Sequence, residues 1–244
     1  QVPVLQGDMV VRSGQMTHPV SGISCAAASG TLQLASTQSY FASHAGFAGI
    51  PKGHITAVIS SDGAVRKSPA LICVEGQAYP ALALTPLLQA TNSRGWGASV
   101  SPGSGLFGSA YSLEFDAYPG LSIPLDNEGN MRISYENLPE NYRAVSAVDV
   151  LNGRAGSELL DGGWTLIGVT AAGLGDIVPT PYSGATPGVE LQARILSSVL
   201  DVAMPYTPRS STLLLGALSL LFSGLLFLLA GVRGRWAAYG LPAA

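Results

Sequence analysis

The sequence predicts a layered α/β domain with a mixed sheet, followed by a membrane-spanning helix. Three observations carry this. An apolar run, WTLIGV (164–169), precedes a glycine-rich stretch (170–180) and an amphipathic helical pattern over 188–201. A strand buried on both faces, then a loop, then a helix is the order of an α/β layer. Upstream, short β-branched runs end at turn signals, Asp62-Gly63 and Glu75-Gly76-Gln77. Finally, no charged residue falls between positions 210 and 232.

Residues 1–50 are rich in Ser, Ala and Gly and poorly patterned. Residues 55–60 alternate weakly and lead into Asp62-Gly63, which suits a hairpin. Residues 70–74 read as a strand. Residues 81–90 read as a helix with Leu82, Leu84, Leu87 and Leu88 apolar, and Pro86 either starts or kinks it. The stretch 91–120 is dense in glycine and proline and reads as loop with one short strand, 112–115. Residues 123–126 lead into a turn at 127–130, and 131–135 form a strand. Ser146 caps a short helix to Leu151, with Asp149 in its first turn. The 164–169 strand, the glycine-rich loop and the 188–201 helix complete the domain, with Val189, Leu191, Ile195, Val199 and Leu200 on the apolar face of that helix. No internal repeat is visible.

The run 210–232 is the strongest single signal. Twenty-three helical residues extend about 34 Å, enough for a hydrocarbon core of about 30 Å. Arg209 precedes it; Arg233, Arg235 and Trp236 follow. Two arginines behind and one in front place the C-terminal flank in the cytoplasm and residues 1–209 outside. Charged residues are only 11% of the chain, against about 25% in an ordinary soluble domain, which also fits a membrane protein. Residues 1–209 carry ten basic and fifteen acidic side chains, a net of −5, and show no basic patch. That argues against a nucleic-acid partner. The sequence organises as residues 1–40, a domain over 41–205, a membrane helix over 210–232 and a cytoplasmic flank over 233–244 that reads as the start of a further membrane helix. It begins with Gln1 rather than Met and has no signal peptide, so it reads as processed or truncated.

Cys25 and Cys73 are 48 positions apart. Outside the cytoplasm they can pair; otherwise they are two buried thiols, and spacing alone does not decide. Catalytic chemistry finds little support. His18, His44 and His54 lack metal-ligand spacing, and no Gly-x-Ser-x-Gly elbow occurs. No metal or cofactor is expected. The loop after the 164–169 run, Thr170 to Asp176 with Gly173 and Gly175, lacks the Lys-Ser/Thr pair of a phosphate loop, so a tight turn accounts for its glycines. Asp176 and Glu190, near the start of the following helix, either cap backbone amides or meet a ligand. Arg66, beside the Asp62-Gly63 turn with Lys67, is either surface charge or an anion contact. Thr170, Gly173, Gly175, Asp176, Glu190 and Arg66 are the candidate ligand residues.

Several blocks carry a resemblance: SSDGAVRKSPALICVEGQAYPALAL (60–84), IPLDNEGNMRISY (123–135), VSAVDVLNGR (145–154), WTLIGVTAAGLGDIVPTPY (164–182) and PGVELQARIL (187–196). Together they resemble the second class of CHASE domains, extracytoplasmic sensory modules of bacterial cyclases and histidine kinases, over roughly residues 40–230; residues 1–40 match loosely. The resemblance implies a sensor for an unknown extracytoplasmic ligand, working as a homodimer in a lipid membrane, with a cytoplasmic cyclase or kinase beyond this chain. It implies no enzymatic activity for the chain itself. The family's N-terminal membrane helix and its first, acidic-containing strand have no counterpart here, and one membrane helix stands where three are usual. The rival reading is a membrane-tethered periplasmic binding protein or hydrolase without cytoplasmic output.

Overall fold

The computed structural model describes residues 2–4, 10–25, 32–90, 96–159, 161–171, 173 and 175–239. Four short strands come first: β1 (Val2–Val4), β2 (Arg12–Ser13), β3 (Ser36–Thr37) and β4 (Ser39–Phe41). β4 lies antiparallel to β1 and parallel to β2. The hairpin expected at Asp62-Gly63 forms between β5 (Val58–Ile59) and β6 (Val65–Pro69). The Asp62 carboxylate accepts the Ala64 amide at 3.2 Å and closes the turn. β7 (Leu71–Val74) and β8 (Gln77–Pro80) form a second hairpin. Its turn residues Glu75 and Gly76 both have positive φ, 50° and 82°. That geometry follows the twist of the flanking strands and needs the glycine.

Pro86 is the second residue of α1 (Thr85–Ala90), which follows a 3-10 turn at Leu82–Leu84. The proline therefore starts the helix, where its missing N–H costs nothing. The turn-rich stretch holds more structure than expected. β9 (Ala98–Pro102) and β10 (Tyr111–Phe115) are antiparallel, and β11 (Ser122–Leu125) pairs with the other edge of β10. The sequence ASVSP hides β9 because it is polar and ends in proline; on a sheet edge both are tolerated. β12 (Asn130–Arg132) pairs with β6. It is shorter than the 131–135 strand expected, because the chain then turns toward a later helix and the Ser134 amide bonds the Ser198 hydroxyl at 3.0 Å.

α2 (Ala147–Leu151) occupies the expected place, but the Ser146 side chain does not cap it and none of its residues is buried. The largest departure is the run 164–169. It has no regular secondary structure, pairs with no described strand, and its residues are exposed: Trp164 is 48% and Ile167 92% exposed. The buried strand expected there is not formed, because no described strand lies beside it to take its backbone hydrogen bonds. β13 (Ile177–Val178) and β14 (Thr186–Pro187) make a two-residue ladder that leads into α3 (Gly188–Leu200). α4 (Ser211–Tyr239) begins at the predicted membrane run and extends beyond it.

The architecture is thus mixed α/β with several small sheets rather than one large one. α3 holds them together. Its Leu191, Ile195, Leu196 and Val199 are buried against Leu84, Leu87, Leu113, Phe115, Ile123 and Met131. β7 separates this core from a smaller one. Successive strand residues point to opposite faces, so Leu71 joins the main core while Ile72 and Val74 pack with Tyr79, Met16 and Tyr40. Cys73 is bonded to Cys25 with 5.8 Å between Cα atoms. This disulfide pins the N-terminal segment to β7, and in the chain-entropy account a loop of that length stabilises the fold by about 4 kcal/mol.

Candidate functional site

Helix α3 connects every region with a claim to function. The glycine-rich loop stands at its N-terminal end. The Gly188 amide donates to the Asp176 carbonyl at 2.8 Å, and a Cβ on Gly188 would lie 3.0 Å from the Asp176 carboxylate. An exposed carboxylate there complements the positive end of the helix. Gly168 lies against Val189, where a Cβ would approach Val189 Cβ to 2.4 Å. That close approach explains a glycine inside the apolar run better than a nucleotide loop does. Gly175 closes a turn onto the Ala171 carbonyl at 3.2 Å; Gly173 is exposed with φ of 80°, and Thr170 is exposed.

Among the described residues of this loop, Asp176 alone of the candidates bonds the first turn of α3, at Gly188. Glu190 faces another partner. Its Oε1 accepts Arg194 Nε at 3.1 Å and Nη2 at 2.9 Å. Arg66 stands on β6 and pairs with Asp62 across an exposed turn at 2.6 Å. No hydrogen bond or ion pair among the described residues joins it to Asp176 or Glu190. Its neighbour Lys67 binds Asp126 at 2.8 Å. Burial alone would raise the Asp126 carboxyl, but hydrogen bonds from Lys67, Asn130 and Glu128 outweigh that and hold it below the usual carboxylate range.

Arg194 is the feature that sequence reasoning missed. It is a buried arginine, 1% exposed, on the inner face of α3. Besides Glu190 it donates Nη1 to the Asn137 carbonyl at 2.8 Å. Its guanidinium lies 5.4, 5.0 and 5.2 Å from the rings of Tyr135, Tyr142 and Tyr182. Tyr135 donates its hydroxyl to the Val65 carbonyl at 2.6 Å, and Tyr182 donates to the Tyr135 carbonyl. Burial pushes the Tyr135 phenol up to about 12, although Arg194 and Arg66 pull the other way. A planar, permanently charged group with five donors suits such a cage, which lysine would fill poorly. The cage fastens α3 to the segment 135–142 and to Tyr182. The visible signal was Glu190 and Arg194 at helical i, i+4 spacing.

At its other end α3 leads to α4. After Leu200 the chain takes a left-handed turn at Val202, φ 52°, and buries Met204. The segment 205–209 does not hang free. The Arg209 amide donates to the Gly108 carbonyl at 2.9 Å, Arg209 Nη1 to the Gly103 carbonyl at 3.4 Å, and the Ser210 hydroxyl to the Leu106 carbonyl. The link is thereby bound to the β9–β10 loop. Two clefts flank Tyr206. One, of about 240 Å³, is lined by Ser109, Ser112, Ile123, Val199, Met204 and Tyr206. The other, of about 260 Å³, takes in Asp126, Asn130, Arg132, Tyr206, Arg209 and Thr212. The 170–176 loop lines neither.

Among the described residues no three metal-ligating side chains converge. One helix segment, Ser211–Gly231, is long and apolar enough to cross a membrane, and none of it is covered by the rest of the fold. Comparisons with curated proteins and with solved structures return no significant match. A family model does match: the CHASE2 domain aligns with residues 8–232, which takes in residues 8–40 of the loosely similar N-terminal part. Spanning most of the chain, that match shows that the protein belongs to the CHASE2 domain family, whose members are extracytoplasmic sensor domains.

Proposed function

We propose that this chain is the sensory region of a transmembrane receptor, with residues 1–209 outside the cytoplasmic membrane and α4 crossing it. A stimulus is read on the outer side and passed to a cytoplasmic effector such as a cyclase or histidine kinase. The region itself carries out no catalysis. One observation supports the reading most directly: a ten-residue connection, 201–210, joins α3 to α4 and is hydrogen bonded through Arg209 and Ser210 to the β9–β10 loop. A displacement of α3 therefore reaches α4 with little slack. The disulfide supports the outer location, since such bonds persist in oxidising compartments.

Concavity favours the Tyr206 clefts over the 170–176 loop as the place where a ligand acts. Small molecules bind where a cleft surrounds them, and Val199, Met204 and Tyr206 in the first cleft belong to the end of α3 and its link. Thr170, Gly173 and Asp176 are exposed, Gly175 is half-buried, and Glu190 and Arg66 are engaged by Arg194 and Asp62. To test the reading, the chain is fused behind α4 to a cyclase with measurable output. Output is followed across external pH, osmolarity and a panel of small metabolites. We expect a response to at least one variable that disappears when four to six Gly/Ser residues are inserted after Pro205, because such a linker behaves as a random coil. An output blind to every external variable, or a response the insertion leaves unchanged, contradicts the proposal.

A further inference from the structure

The loop between β9 and β10 carries two large apolar side chains at its tip, Leu106 and Phe107, which are 58% and 63% exposed. Exposed apolar residues on a surface are ordinary when isolated. These two are distinguished by where the loop is fastened. The carbonyl of Leu106 accepts the Ser210 hydroxyl, and the carbonyl of Gly108 accepts the Arg209 amide at 2.9 Å. Ser210, buried by this contact, immediately precedes the first residue of α4. The loop is also closed on itself, with the Gly103 amide bonded to the Ala110 carbonyl at 3.1 Å. Leu106 and Phe107 are therefore held at the level of Ser210, where the membrane helix leaves the domain.

The polar interfacial layer on each side of a bilayer is several ångströms deep. Side chains fixed beside Ser210 fall within it if α4 spans the membrane. Charge agrees. Residues 97–113 contain no charged side chain, although residues 1–209 together carry a net of −5. The Arg209 guanidinium is bonded to the base of the loop at the Gly103 carbonyl, a cation suited to lipid phosphates. An uncharged tip with a leucine and a phenylalanine, flanked by an arginine, has the chemistry of a bilayer interface rather than of water.

We propose that Leu106 and Phe107 insert into the outer leaflet and give the domain a second membrane contact beside α4. This rests on the reading that α4 spans the bilayer. With two contacts the domain is held against the membrane in a fixed orientation, and the Tyr206 clefts open next to the lipid surface.

The test uses the whole chain in nanodiscs of phosphatidylcholine and phosphatidylglycerol, with a nitroxide at Phe107→Cys, at Leu220→Cys within α4, or at the exposed Ile59→Cys on the β5–β6 hairpin. Native Cys25 and Cys73 are bonded to each other and take no label. Collision with oxygen, which concentrates in lipid, is compared with collision with a water-soluble nickel chelate. We expect the oxygen-to-nickel ratio at 107 to exceed that at 59 several-fold and to approach that at 220. A ratio at 107 equal to that at 59, with 220 in lipid, overturns the proposal and leaves the spanning helix intact. A label at 220 that reads as aqueous overturns both. A label at 107 shielded from both reagents and broadened by a neighbouring spin means that a second copy covers the tip, which also overturns it.

Discussion

Two apolar runs in this molecule look alike in sequence and have opposite fates. Residues 71–74, LICV, are buried throughout. Residues 164–169, WTLIGV, are exposed throughout. The difference lies in the backbone. β7 is hydrogen bonded on both edges, antiparallel to β8 and parallel to β3, and is tied to the N-terminal segment through Cys73. The second run has no hydrogen bond to any described residue. Burying an apolar side chain on a strand also buries the N–H and C=O beside it, which must be paired. Apolar character alone does not make a buried strand; a neighbouring strand has to be there as well.

The comparison can be broken first at the point where the exposed region is tied to the core. Arg194 lies on the core helix, and its partners Asn137 and Tyr142 lie in the segment leading out toward α2. Arg194→Ala leaves Glu190 half-buried without its cation. Breaking such a pair costs about 3–5 kcal/mol, measurable by denaturant titration. Arg194→Lys should recover only part of it. A loss below about 1 kcal/mol would mean the cage is not what holds the two regions together.

The next largest effect sharpens the contrast directly. Ile72 on β7 is 0% exposed. Ile72→Ala should destabilise the domain by about 2–5 kcal/mol, the usual cost of emptying a packed site.

A smaller effect distinguishes the core by its pH response. His54 is fully buried beside β8, and its amide donates to the Pro80 carbonyl. Its Nδ1 accepts the Thr56 amide at 3.3 Å, and its Nε2 has no partner among the described residues. Burial lowers it from 6.5 to about 3. The folded state therefore resists protonation while the unfolded chain accepts it. Stability is full above pH 6.5 and declines as pH falls from 6.5 toward 3, by at most about 1.4 kcal/mol per unit. Melting temperature against pH should show this slope, and His54→Asn should flatten it. A wild-type curve that is flat between pH 6.5 and 5 would contradict the burial of His54. Asp126, also held low, loses its contribution only at more acid pH.

The smallest effect belongs to the second run. Ile167 is 92% exposed, so Ile167→Ser should change stability by less than about 0.5 kcal/mol. A loss like that of Ile72→Ala would show that the run is buried in the working protein.

The same distinction explains what was legible in the sequence. Local chemistry was readable: the Asp62-Gly63 and Glu75-Gly76 turns, the start of α1 at Pro86, the amphipathic α3 and the long apolar helix α4 all follow from neighbours in the chain. The family was readable because several separate blocks agreed. Long-range partnership was not. β9 was missed because its pairing with β10 depends on a segment about ten residues away, and the 164–169 run was misread for the corresponding reason. At the site, the sequence placed Asp176 and its glycines at the start of α3. It did not show that Glu190 serves Arg194, whose guanidinium also meets three tyrosines, two from the segment 135–142 and one at 182. The attachment of Arg209 and Ser210 to the 103–108 loop, about 100 residues earlier, left no local trace.

The most direct test of the account is the side of the membrane on which the domain lies. Single cysteines at Ile59, on the β5–β6 hairpin, and at Ala237, beyond the predicted membrane run, are offered a membrane-impermeant maleimide in cells with an intact cytoplasmic membrane and again after lysis. The native disulfide leaves Cys25 and Cys73 silent. The account predicts that position 59 is labelled in intact cells and position 237 only after lysis. Labelling of position 59 only after lysis would place the domain in the cytoplasm and contradict it.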